Sequence, residues 1–238
     1  MSLFDLSGKA VVVTGGAGHL GSAICKGLSD HGARVLSLSS RPPAEICDVA
    51  DEEAFDAKVK AFAERAGPLW GIVNCAGRGT RGADLEMSAQ AFRYGLETIV
   101  LQFTCSRIAA RYMGCGGSIV MLGSLWGMRA PDPKIYLDLG NGPSIPTPCA
   151  FGGIAQLTKY LAVLLAPNIR VNAIVPGWFP KSRGAPRPDY IAGITARTPM
   201  RRIGQPADLI GAAVFLMSDA SAFMSGQQLV IDGGYSIQ

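Results

Sequence analysis

Apolar positions in this chain fall into short unbroken runs separated by stretches of helical spacing. Ala10–Thr14 is the first run, short and wholly apolar before a glycine-rich turn, as expected of a strand buried on both faces. Leu20, Ala23, Ile24 and Leu28 then recur at helical intervals, predicting a helix over 20–29 that His31-Gly32 ends. Arg34–Ser39 reads as a second strand, so the chain opens strand–turn–helix–strand, the right-handed unit of a parallel sheet. The alternation continues with helices over 52–65, 89–113, 151–165 and 207–217. Strands are predicted at Leu69–Asn74, Ser118–Gly123, Arg170–Val175 and Gln228–Asp232. Such alternation along the whole length predicts an α/β chain with one doubly wound parallel sheet.

Two segments break the rhythm. Residues 40–51 (SRPPAEICDVAD) are too short and too rich in proline for a full crossover helix. Residues 130–148 are rich in Pro, Gly and Asp, and unstructured stretches of that length usually serve function. No linker, repeat or low-complexity stretch divides the chain, so residues 1–238 are expected to form a single domain. Substrate loops are expected at 126–150 and 178–200.

Composition narrows the class. Hydrophobic residues make up 48% of the chain and charged residues 17%, enough for a large core and too apolar for disorder. The formal charge of +4 is scattered, with only Arg201-Arg202 adjacent, which gives no case for a nucleic-acid partner. Six cysteines without a C-x-x-C pair, beside two histidines, offer little to a structural zinc, and no metal is expected. The thiols, Cys149 among them, read as small buried apolar groups in a reducing compartment. The N-terminal residues carry no secretion signal and no apolar run is long enough for a bilayer; a cytoplasmic protein is expected.

The first turn, Thr14-Gly15-Gly16-Ala17-Gly18-His19-Leu20-Gly21, carries the chemistry. Glycines at 15, 18 and 21 stand where a chain turns tightly, approaches a pyrophosphate and packs helix on strand. The turn follows a predicted strand and opens a predicted helix, which is the context a dinucleotide site of the Rossmann type requires. At the end of the second strand an acidic residue would hold a ribose 2′-hydroxyl. The chain has Ser39-Ser40-Arg41 instead, favouring NADP(H) with Arg41 on the 2′-phosphate and NAD as the alternative. Asp48-Val49 would lie beside the adenine.

These residues, with others downstream, resemble the short-chain dehydrogenase/reductase family from end to end. Asn74-Cys75-Ala76-Gly77 looks like its N-x-A-G element, and Ser118–Ser124 like the strand that carries its catalytic serine. Pro176-Gly177 resembles the segment lining the nicotinamide, and residues 197–234 follow the family's C-terminal pattern. His19 replaces a glycine of the commoner turn, giving T-G-x-x-G-x-x-G. The resemblance implies hydride transfer between a nicotinamide and a carbonyl or alcohol of a small-molecule substrate. In it a serine polarises the substrate oxygen, a tyrosine passes the proton, a lysine lowers that tyrosine's pKa, and an asparagine completes the relay. It also implies a homodimer or homotetramer built on the helices over 89–113 and 151–165, with Leu157, Tyr160, Leu161, Leu164 and Leu165 as surplus apolar surface.

Only the serine, Ser124, is matched. The run Phe151-Gly152-Gly153-Ile154 places Phe151 at the lysine and Thr147 at the tyrosine; the asparagine falls at Thr98 or Ile99. A general acid contributes about 10² to 10⁴ in rate, so losing Tyr and Lys together should nearly abolish the family reaction. Tyr136, twelve residues after Ser124 and flanked by Lys134 and Asp138, is the candidate replacement acid. Three functions stay open: an oxidoreductase with a rearranged acid, a catalytically silent binding, scaffold or regulatory subunit, and a different reaction on the same fold. Trp126, Met128, Trp178 and Phe179 are expected to wall the substrate pocket.

Overall fold

The computed structural model describes residues 2–78, 86–131, 145–180 and 188–238. Seven strands form one parallel sheet: β1 (Ala10–Thr14), β2 (Arg34–Ser39), β3 (Glu45–Ile46), β4 (Leu69–Asn74), β5 (Met113–Leu122), β6 (Ile169–Pro176) and β7 (Gln228–Ile231). Their order is β3-β2-β1-β4-β5-β6-β7, every neighbouring pair parallel. Among the described residues six α-helices accompany them: α1 (His19–Asp30), α2 (Glu52–Ala66), α3 (Ala89–Ala110), α4 (Pro146–Leu164), α5 (Pro188–Arg197) and α6 (Ile210–Met217).

The twofold period of the strands explains both layers. In β1, Val12 points into a core shared with Phe55 and Val59 of α2 and Leu101 and Ile108 of α3. Its neighbours Val11 and Val13 point the other way, onto Ile24 and Leu28 of α1 and Leu216 and Met217 of α6. All three valines are fully buried, so this part of β1 must be apolar on both faces. The sheet is thus covered by helices on both faces, the doubly wound Rossmann arrangement.

Local chemistry sets the helix ends. Asp51 Oδ1 accepts from Ala54 N–H at 3.0 Å to start α2, and Ser88 Oγ accepts from Ala91 N–H at 3.2 Å to start α3. Gly32, at φ +93°, turns the chain out of α1, as the sequence indicates. Four boundaries differ from expectation. α3 ends at Ala110 and β5 already begins at Met113, which pairs with Leu69 of β4 ahead of a register shift, before Gly117 pairs with Ile169 of β6. α4 starts at Pro146, five residues early, since proline suits the first helical positions. Residues 206–209 are a 3-10 turn ahead of α6, closed by a capping box of Gln205 and Asp208. The stretch 178–200, read as loop, contains α5.

The chain runs outward from β1 to β2 and β3, then returns to β4 on the other side of β1. This reversal leaves a crevice above the carboxyl ends of β1 and β4, the switch point where ligands bind in open α/β sheets. No helix among the described residues is long and apolar enough to cross a membrane.

Candidate functional site

The glycine turn closes directly over β4. Gly15 sits at φ +67°, and a Cβ there would lie 2.8 Å from Cys75 C and Ala76 N. A Cβ on Gly18 would meet Gly15 O at 2.8 Å, and one on Gly21 would meet it at 2.3 Å. The turn is therefore compact, with its glycines packed on β4 and on one another. Thr14 stitches it to β4: its carbonyl accepts from Cys75 N–H at 3.1 Å and its Oγ1 from Ala76 N–H at 3.2 Å.

Above this turn lies a cleft of about 500 Å³. Gly15, Gly18, His19 and Leu20 form its floor, and Ser39, Ser40 and Arg41 border it after β2. Asp48 and Val49 border it after β3, and Ala76 and Gly77 after β4. Arg41 leans back across the turn, its Nη2 donating to Ala17 O at 3.3 Å. The sequence overlooked Arg78, which also lines the cleft. Its guanidinium pairs with Asp48 at 3.4 Å and with Glu97 at 3.6 Å, and sits 5.6 Å from the Tyr94 ring centre. Its signal was its place immediately after N-x-A-G.

A bound dinucleotide fits these residues. The glycines seat the turn against β4 and against its own backbone, which leaves the N-terminal end of α1 bordering the cleft, where its amides would meet a pyrophosphate. His19 Nε2 is buried at the cleft without a hydrogen-bond partner among the described residues.

Other predicted site residues stand back from the cleft. Asn74 is fully buried and donates to Ser106 Oγ at 2.9 Å, tying β4 to α3. Pro176 and Gly177 end β6; a Cβ on Gly177 would be 2.7 Å from Asp232 Cα, so that glycine is required by packing against the segment after β7. Ser124 follows β5, half-buried, and its Oγ accepts from Trp126 N–H at 3.3 Å. The turn it caps packs on α4, where a Cβ on Gly127 would strike Phe151 C and O at 2.6 Å. Ser124 is thereby set against the helix that carries Thr147 and Phe151. Tyr136, with Lys134 and Asp138, lies outside the described residues.

Thr98, not Ile99, faces Thr147 and Phe151 across the gap between α3 and α4. Thr98 Oγ1 donates to Arg78 O at 2.6 Å and accepts from Arg78 N–H at 2.9 Å. Ile99 instead packs on α4, with Cδ1 2.6 Å from a Cβ built on Gly153.

The expected aromatic wall forms a packed cluster, and Trp178 and Phe179 also line a cavity of about 160 Å³ with Thr198, Met200 and Asp232. Trp126 and Trp178 meet edge to face at 5.4 Å, and Trp178 meets Tyr190 at 5.6 Å and Tyr235 at 6.1 Å. Met128 is exposed, and Phe179 alone of the four borders the dinucleotide cleft. Burial and the neighbouring Tyr235 push the Tyr190 hydroxyl up to about 12, far from a group that exchanges protons near neutrality. Cys149, expected to be buried, is exposed. At 100° per residue it points away from the face bearing Thr147, Ala150 and Phe151. Cys47 and Cys105 are the buried thiols. Among the described residues no group of three His, Cys, Asp or Glu is placed to hold a metal.

Known proteins resemble this chain over nearly its whole length. A family model described as enoyl-(acyl carrier protein) reductase matches residues 16–236. The 2-dehydro-3-deoxy-D-gluconate 5-dehydrogenase of Formosa agariphila is 32% identical over 260 residues, spanning 98% of this chain and 95% of the relative. The chain belongs to the short-chain dehydrogenase/reductase family. A short-chain type dehydrogenase/reductase from Mycobacterium marinum superposes with a TM-score of 0.86 at 27% identity, covering 100% of both chains. A short-chain dehydrogenase from Leptospira borgpetersenii, solved with bound NAD+, gives 0.87 at 26% identity over 98% of this chain and 95% of that one. The chain is thus a member of an oxidoreductase family.

Proposed function

We propose that this protein binds NADP(H) and acts as an oxidoreductase on a carbonyl or alcohol, with a proton relay unlike the one its family resemblance implies. The observation that carries the reading is the compact turn of Gly15, Gly18 and Gly21 with Arg41 reaching over it. The cofactor, when bound, supplies or accepts a hydride at its nicotinamide ring. Backbone amides of the turn hold the pyrophosphate, and Arg41 with the exposed Ser40 meets the 2′-phosphate, with NAD as the weaker alternative. Ser39, Asp48 and Val49 flank the adenosine, Ala76 and Gly77 the ribose, and Pro176 and Gly177 the nicotinamide end. Asn74 acts one step back, by holding α3 on β4. Ser124 Oγ accepts from Trp126 N–H, which leaves its own proton to donate to a substrate oxygen.

A threonine hydroxyl does not titrate near neutral pH and a phenylalanine ring does not titrate at all. Through Thr147 and Phe151 the reaction forfeits about 10² to 10⁴ in rate. Tyr136 is the proposed replacement acid. The pair Thr147 and Phe151 also favours a second reading, a catalytically silent family member that binds dinucleotide and serves as a binding, scaffold or regulatory subunit.

The remaining features of the reading are one cytoplasmic domain with substrate loops at 126–150 and 178–200, and a homodimer or homotetramer. Exposed Tyr160, Val163 and Leu164 on α4 and Val100 and Phe103 on α3 support the oligomer. Leu161 does not contribute, being buried in the core.

Fluorescence titration of reduced nicotinamide tests the reading first. Saturable NADPH binding, tighter than NADH, supports it; binding of neither removes it. A substrate screen, starting from hydroxylated acids like that of the Formosa relative, then separates the two readings. Activity that Tyr136→Phe abolishes favours the enzyme, and tight NADPH binding without turnover favours the silent member.

A further inference from the structure

Helix α3 builds a seat for Arg78, the residue that follows the Asn74–Gly77 element. Tyr94, Glu97 and Thr98 stand at i, i+3 and i+4, so they share one face of that helix. Each holds a different part of the arginine. Thr98 Oγ1 accepts from its backbone N–H at 2.9 Å and donates to its carbonyl at 2.6 Å. Glu97 Oε2 lies 3.6 Å from Nε, and the Tyr94 ring centre lies 5.6 Å from the guanidinium carbon, within cation–π range. Three residues of one helix face thus fix a cation at the wall of the dinucleotide cleft.

On the cleft side the hold is weaker. Nη2 donates to Asp48 Oδ2 at 3.4 Å, near the limit of a hydrogen bond, and the Asp48 side chain is 61% exposed. An exposed pair of that length adds little to stability, so replacing it with another anion costs little. Asp48 is secured without the arginine, because its Oδ1 accepts from Ala50 N–H at 3.0 Å. Nη1 has no hydrogen-bond or ion-pair partner among the described residues.

We propose that Arg78 is a cofactor-binding residue whose guanidinium holds the ADP half of the dinucleotide, the half that NAD(H) and NADP(H) share. The inference rests on the dinucleotide reading given above. Strand order places the residue: β1 with its glycine turn stands between β2, which leads to Arg41, and β4, which leads to Arg78. In that reading the 2′-phosphate belongs to the side of Ser40 and Arg41, and Arg78 stands on the other wall with Ala76 and Gly77. Charge gives the reason for an arginine there. Without it the Asp48 and Glu97 carboxylates would go uncompensated against a polyanionic ligand. A guanidinium already positioned by α3 also loses little side-chain freedom on binding. Arg41 thus selects the phosphorylated cofactor, and Arg78 raises affinity for both.

Calorimetric titration with NADH, NADPH and ADP-ribose tests the proposal. Arg78→Met, which keeps the aliphatic stem and removes the charge, should weaken all three by the same factor, about ten- to fiftyfold, the loss of one partly screened charge-assisted contact. Arg78→Lys should recover part of that affinity, and the dependence on salt should be shallower in Arg78→Met than in the wild type. Glu97→Gln leaves the arginine and an acceptor for it in place but removes a competing charge. It should tighten all three ligands about two- to fivefold, which a purely structural role for Arg78 would not produce. Circular dichroism melts establish that each variant is folded. Affinities unchanged in Arg78→Met, a loss confined to NADPH, a loss that spares ADP-ribose, or no tightening in Glu97→Gln would each overturn the proposal and leave the dinucleotide reading standing. A wild-type protein that binds none of the three would remove both.

Discussion

Replacing Arg41 with alanine separates cofactor binding from cofactor choice. The side chain is exposed at the rim of the cleft, and its one hydrogen bond, Nη2 to Ala17 O at 3.3 Å, suspends it over the glycine turn. Nothing in the fold leans on it, so Arg41→Ala should leave stability unchanged. Two unit charges about 4 Å apart attract by roughly 1 kcal/mol in bulk water and roughly 4 at an effective dielectric of 20. For a rim arginine on a phosphate of charge about −1.5 to −2, the lower part of that range applies, roughly 1.5–2.5 kcal/mol. The variant should therefore bind NADPH about ten- to seventyfold more weakly and NADH nearly as before. Salt supplies an independent signature. The Debye length falls from about 30 Å at 0.01 M to about 3 Å at 1 M, so the preference for NADPH should shrink with salt in the wild type and show little salt dependence in Arg41→Ala. Arg41→Lys should recover part of it, keeping the charge but losing the planar fork. Calorimetric titration of both cofactors at two salt concentrations measures all of this. An NADPH-to-NADH ratio that Arg41→Ala leaves unchanged would refute the reasoning and move the selectivity elsewhere, with Arg78 the first place to look.

Three further outcomes are expected. Gly21→Ala puts a Cβ 2.3 Å from Gly15 O, so α1 must shift off the turn; stability should fall by about 1–3 kcal/mol and dinucleotide affinity with it, read by chemical denaturation and titration. Thiol-reactive dye should label Cys115 and Cys149 rapidly, whereas Cys105, buried and pushed up to about 12, should react only on unfolding, as mass spectrometry of labelled peptides would show. The Arg202 guanidinium and the Gln205 amide hold the Asp208 carboxyl below its ordinary value. A depressed carboxylate pKa stabilises the fold above the unfolded-state value and ceases to do so as pH falls through the folded one. Asp208→Asn should therefore lower Tm by a few degrees at neutral pH, with the difference vanishing in acid; a gap independent of pH would contradict it.

Much of the fold was legible because local chemistry determines it. The alternation of apolar runs and helical spacing identified all the strands except the two-residue β3, and five of the six helices. β3 pairs through only Glu45 and Ile46, too short for any period to show. α5 escaped notice because only Ile194 of its ten residues is buried, so it carries almost no apolar stripe, and Pro188 at its start read as a loop residue. Boundaries shifted where proline or glycine suits two structures equally well, at Pro146 for α4 and at Gly114–Gly117 for β5.

The compact glycine turn was determined by the sequence, since its constraint is covalent: only glycine lacks the Cβ that Gly15, Gly18 and Gly21 cannot carry. Tertiary structure alone decided what depends on elements distant in the chain. It chose Thr98 over Ile99 as the residue facing Thr147 and Phe151, a difference of 100° around α3. It brought Arg78 to Asp48 and Glu97, and drew the expected pocket tryptophans into a packed cluster with Tyr190 and Tyr235. It also left Gln102 Oε1 without a hydrogen-bond partner among the described residues. Spacing along a chain records what each segment buries; which side chains then meet across the crossing of two helices is settled only when those segments pack.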